Sequence, residues 1–166
     1  MSFPHVINGR WGFEKDTSTT KQHKLGTLMQ IEESFFRYVS AGEAITVGQL
    51  MESSAIDANH NDDLAVATTA SGSVLQSNTT PVGAPVGVTC NDIASASYGW
   101  LQVRGPSVCL VQGTPGIGFG LMRSDGTAGA LEVVAEASAT LYGTLGHMGC
   151  TAGVDGEYHE VNLNIS

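Results

Sequence analysis

The last seven residues, EVNLNIS, alternate without a break: Val161, Leu163 and Ile165 stand between Glu160, Asn162, Asn164 and Ser166. A period of two puts one set of side chains on each face of an extended chain, so this pattern calls for a strand with one buried and one wet face. Leu131, Val133, Ala135 and Ala137 alternate with Glu132 and Glu136 in the same manner. Such segments recur between glycines, of which there are 21 in 166 residues. Small and β-branched residues punctuated in this way predict many short strands and tight turns. Residues 25–166 are therefore expected to form one all-β domain, mostly antiparallel, either a barrel or a sandwich.

Two interior regions refine that expectation. Between Gly26 and Gly42, Leu28, Ile31, Phe35 and Tyr38 fit a helical face, whereas Met29, Ile31, Phe36, Tyr38 and Val39 fit two strands about a turn at Glu32–Ser34. The run FFRYV, rich in strand formers, favours the hairpin. Further on, YGWLQVRGPSVCLVQGTPGIGFGLMRSDGTAG reads as strand WLQV, turn RGPS, strand VCLVQ and a glycine turn, with Trp100, Leu101, Val103, Val108, Leu110 and Val111 as core. Thr68–Gly87, rich in Ser, Thr, Gly and Pro, reads as an irregular connection. A weak internal echo aligns Ala41–Ser53 with Gln112–Ser124 and implies one structural job for both, a glycine turn leading into a strand.

Charge divides the chain. Residues 1–40 hold five cations and four acids, while residues 41–166 hold only Arg104 and Arg123 against twelve acids. An acidic body, in a chain of net charge −9, repels nucleic acid and anionic membrane surfaces. No apolar run is long enough to cross a bilayer, and MSFPHVINGRWGFEKD has no secretory leader pattern. Residues 1–24 are polar, without hydrophobic period, and are expected to be an extended arm. Phe3, Trp11 and Phe13, with Arg10, Lys15, Lys21 and Lys24, are the candidate contact residues toward a protein partner. The aromatic rings either anchor on a neighbour or fold back on their own domain.

The chemical templates fail. GTPGIGFG has no lysine for a phosphate loop and no third glycine for a dinucleotide fingerprint. Asp57, Asn59, Asn61 and Asp63 imitate a calcium loop, but Asp62 and Thr68 stand where glycine and glutamate are required. His147 and Cys150 lack the further ligands that zinc needs. Cys90, Cys109 and Cys150 form no C-x-x-C pair, which points to a reducing compartment, and Cys109 in SVCLV reads as a buried, inert thiol. No G-x-S-x-G elbow is present. No enzyme activity, metal or cofactor is expected.

LGT (25–27), FRYVSAGEAITVGQLMES (36–53), VGAPVGVT (82–89), YGWLQVRGPSVCLVQGT (98–114) and SDGTAGALEVV (124–134), in this order, resemble the head decoration, or capsid cement, proteins of tailed bacteriophages. The resemblance covers most of residues 25–166 and leaves out residues 1–24. It implies a small, β-rich, non-enzymatic protein, made in the host cytoplasm and placed on the outer surface of the virion capsid. The implied partners are the major capsid protein and neighbouring copies of the chain, with a trimer as the implied assembly. A tail or receptor-binding module is the alternative reading, and a small cell-wall hydrolase a third.

Overall fold

A computed structural model describes residues 6–8, 12–53, 66–69, 85–114, 116–124, 126–134, 144–149 and 154–165. Phe3, Arg10, Trp11, Cys150 and the Asp57–Asp63 loop lie outside the described residues. The described elements are the strands β1 (Val6–Asn8), β2 (Leu28–Ile31), β3 (Ser34–Ala41), β4 (Leu50–Ser53), β5 (Val66–Thr69), β6 (Pro85–Thr89), β7 (Tyr98–Gln112), β8 (Gly120–Arg123), β9 (Leu131–Val134), β10 (Gly146–Met148) and β11 (Glu157–Asn164), with a 3-10 turn at Phe13–Lys15. The all-β expectation holds, and β2 and β3 form the hairpin about Glu32 and Glu33. The connection over Thr68–Gly87 is shorter than its composition implies, because β5 and β6 take both of its ends.

The strand pairings close two rings of five. In ring one the order is β3-β5-β4-β6-β7, and β7 returns to β3. In ring two the order is β7-β9-β8-β10-β11, and β11 returns to β7. Each ring has one parallel contact, β3 with β5 and β7 with β9, and is otherwise antiparallel. The architecture is thus a mixed barrel extended by further strands, not a sandwich, and closure leaves few free edges. The β2–β3 hairpin adds to ring one, and β1 lies parallel on β2.

Ring two repeats ring one strand for strand, with β3 to β7 of the first corresponding to β7 to β11 of the second. The hydrogen bonds repeat too. Gly48 N donates to Thr89 O (2.8 Å) as Gly118 N does to Met148 O (3.1 Å), and Ala96 N donates to Ala41 O as Gly156 N does to Val111 O, both at 2.9 Å. The sequence echo therefore has a structural basis, although one residue out of register. The backbone equates Ala41 with Val111 and Gly48 with Gly118, so in ring two each stands one residue before its partner in the echo.

Strand β7 belongs to both rings, and this overturns the expected turn at RGPS. Its 15 residues run through Arg104–Ser107 without reversal. Pro106 lacks an N–H, but it faces Asn162 at a site where β7 and β11 exchange no hydrogen bond, so nothing is lost. The bend falls on Gly105, at φ +98°, where a Cβ would collide with Ser34. Buried Gln102 spans the bend, its Nε2 donating to Pro106 O (2.8 Å) and Arg104 O (3.2 Å). The period of two continues through the run, with Leu101, Val103, Cys109 and Val111 in phase. Trp100, Leu101, Val103, Cys109 and Val111 are buried, whereas Val108, expected inside, is 54% exposed and Leu110 is half-buried.

Three apolar clusters result. Val39, Ala41, Ile45, Met51, Val86, Ile93 and Leu101 fill ring one. Leu121, Leu131, Val161, Leu163 and Ile165 join Cys109 and Val111 in ring two, as the terminal alternation requires. Met29, Ile31, Phe36, Tyr38 and Trp100 pack on the outer side of ring one. An ion pair between Glu52 of β4 and Arg123 of β8, both largely buried, ties the rings together, as do Leu110 N to Gly48 O (2.9 Å) and Leu50 N to Gly129 O (2.7 Å).

Candidate interaction surface

Residues 12–24, expected to belong to an extended arm, lie along ring one. Gly12 starts the 3-10 turn and its N–H is held by the Glu14 carboxylate (2.7 Å), with Glu14 itself buried. Asn91 Nδ2 donates to Lys15 O (3.0 Å). Ser18 and Tyr98 exchange two backbone hydrogen bonds, of 3.0 and 2.8 Å, along the outer edge of β7. Gln22 N donates to the Tyr38 hydroxyl (3.0 Å), and the His23 ring stands edge-on to Tyr38 at 5.1 Å and tilted over Trp100 at 5.2 Å. The composition hides these contacts because most engage the segment's own backbone N–H and C=O groups, which leave no periodic signal in a polar segment.

Of the candidate contact residues, Lys15, Lys21 and Lys24 are all exposed on this one segment. The backbone of Phe13 sits in the 3-10 turn; its ring, like Phe3, Arg10 and Trp11, is outside the described residues. The structure thus leaves Lys15, Lys21 and Lys24 exposed on a segment that lies along ring one, and leaves the aromatic half of the expectation unplaced.

The corresponding end of ring two looks different. The glycine cluster is a turn, closed by Phe119 N to Gly116 O (3.1 Å), and it leads into β8. Ile117 in this turn is 64% exposed, Val154 in the turn before β11 60%, and Tyr158 on β11 48%. Gly113 N donates to Asp155 Oδ1 (2.8 Å), which joins this loop to the turn before β11. In ring one the matching end is closed by the paired Ile45 and Ile93, each only 2% exposed. Sequence reasoning missed the apolar residues here because an isolated Ile or Val beside a glycine looks like ordinary turn flanking.

The described thiols are poor nucleophiles. Burial pushes the Cys109 thiol up to about 12, against a weaker opposing hydrogen bond from Ser107. Burial, helped by Glu14, does the same to Cys90. Cys90 lies in a shallow groove of about 360 Å³ with Glu14, Lys15, Gln102 and Val108. His147 is exposed on β10, and no group of three His, Cys, Asp or Glu side chains converges on a metal position among the described residues. No helix among them is long and apolar enough to cross a membrane. What this surface offers is sheet edge, turns and charge.

No protein-family model and no curated protein sequence matches the chain. Among solved structures, the head fiber gp8.5 N base of bacteriophage phi29 is similar, with a TM-score of 0.51 and 13% sequence identity over 79% of this chain and 94% of that one. At that identity the likeness is one of fold.

Proposed function

We propose that this chain is a structural protein of a bacteriophage head, seated on the outer surface of the capsid shell as a decoration protein that stabilises it. The observation that carries this reading is the fold likeness to a phage head fiber base over 94% of that structure's length. The motifs quoted above support it independently, and they favour the head over a tail module. In this reading the body binds the major capsid protein and neighbouring copies as a trimer, and uses neither metal nor cofactor. Residues 1–24 serve as the docking arm. Phe3, Trp11 and Phe13 supply apolar anchors, and Arg10, Lys15, Lys21 and Lys24 meet carboxylates.

The test is co-sedimentation of the purified chain with undecorated capsids, followed by heating of the decorated shells. Saturable binding and a raised temperature of DNA release are expected. A chain that stays in the supernatant at every concentration sinks the proposal. Sedimentation velocity of the free protein decides between monomer and trimer.

A further inference from the structure

Ring one shows what fills a particular sheet edge, and ring two carries the same edge. Tyr98, at the start of β7, receives Ser18 on its outer side through two backbone bonds. The residue of ring two that corresponds to it is Tyr158. The Ala96 bond to Ala41 recurs as the Gly156 bond to Val111, and in each case the tyrosine follows two residues later.

The direction of the Tyr158 backbone follows from its pairing. Leu110 stands opposite Tyr158, yet donates its N–H to Gly48 O instead of to β11. Opposed residues of an antiparallel ladder exchange both bonds or neither, so the Tyr158 N–H and C=O point away from β7. Farther along this edge the same outward groups are bonded: Gly149 N reaches Glu160 O (2.9 Å) and Asn164 N reaches Leu145 O (2.8 Å). At Tyr158 no such bond occurs among the described residues.

The side chains around it set the chemistry of an occupant. Asp155, Glu157 and Glu160 are exposed there, beside the apolar Val154. The segment on the equivalent edge of ring one makes a single β-bridge at Ser18 and carries exposed Lys15, Lys21 and Lys24. Two Tyr158 edges meeting symmetrically would set these carboxylates against one another, which disfavours a second copy joined edge to edge.

We propose that the Tyr158 edge is a docking berth that takes, by β-bridging, an extended lysine- or arginine-bearing segment of the shell subunit beneath the protein. This rests on the head-surface reading, and the experiment separates the two. Capsid binding by the full chain is measured over a salt series, together with amide exchange at Tyr158 in the free and bound protein. Tyr158→Pro removes the outward N–H and no ladder bond, and is expected to weaken binding about tenfold. Tyr158→Phe should bind as wild type. Glu157→Lys combined with Glu160→Lys should weaken binding and flatten its salt dependence. The Tyr158 amide should exchange freely in solution and become protected on the capsid.

Protection in the free protein overturns the berth, because the chain itself or a second copy then fills the edge. Wild-type binding by both Tyr158→Pro and the charge-reversed variant overturns it as well, with the head-surface reading intact. If Tyr158→Pro does not fold, the charge reversal and the exchange measurement decide alone. Failure of the wild type to bind capsids removes the reading and the berth together.

Discussion

Rings one and two share topology, hydrogen bonds and a strand, yet their matching ends are finished differently. Ring one is closed by Ile45 and Ile93 and overlaid by residues 12–24, whereas ring two leaves Ile117, Val154 and Tyr158 in water. The same backbone solution therefore serves two purposes. Where residues 12–24 and the Ile45–Ile93 pair cover ring one the end is core, and among the described residues of ring two Ile117, Val154 and Tyr158 stay exposed. The difference comes from side chains in loops, which ring closure does not constrain.

The largest effect should come from the tightest backbone approach, which the rings have in common. Gly87 and Gly146 occupy equivalent places, and a Cβ at either would collide with the neighbouring strand, at Leu101 Cβ (2.7 Å) and at Asn162 O respectively. Gly87 also sits at φ +147°. Gly146→Val and Gly87→Ala should each cost about 3 kcal/mol or more, read from denaturant melts. A mild effect in one ring only would show that the repeat is not mechanically equivalent.

Next comes the link between rings. Glu52→Ala leaves Arg123 buried without that carboxylate, and should cost about 3 kcal/mol. If the rings melt as separate units, calorimetry of this variant should show two transitions where the wild type shows one.

Deleting residues 2–24 tests the cover of ring one. It removes the Ser18 and Gln22 bonds and uncovers Tyr38 and Trp100, so stability should fall by about 2 kcal/mol while the barrel still folds. Attachment to capsids should weaken more than tenfold, with Trp11→Ala reproducing much of the loss and Lys21→Ala little of it. Undiminished attachment would assign all binding to the body.

The smallest effect sharpens the comparison at one turn. Ala96 holds φ +58°, a conformation that ring two gives to Gly156 at +77°. Ala96→Gly should stabilise the protein by about 1 kcal/mol, visible as a modest rise in melting temperature. A loss of stability would mean that the Ala96 methyl packs more than its backbone suffers.

The local elements were legible in the residues alone. The period of two at Val161–Ile165, the glycine turn before β8 and the inert Cys109 could all be read directly, because each depends on neighbours a few residues away. The tertiary structure decided everything that depends on pairing across long separations. Arg104–Ser107 reads as a turn until β11 lies beside it and places Pro106 where no N–H is needed. The polar run at 16–24 reads as loose until Tyr98 and Tyr38 offer it backbone and hydroxyl partners. Ring closure through the parallel pairs β3–β5 and β7–β9 leaves no mark on either strand alone, since a backbone hydrogen bond has the same chemistry whichever strand supplies its other half.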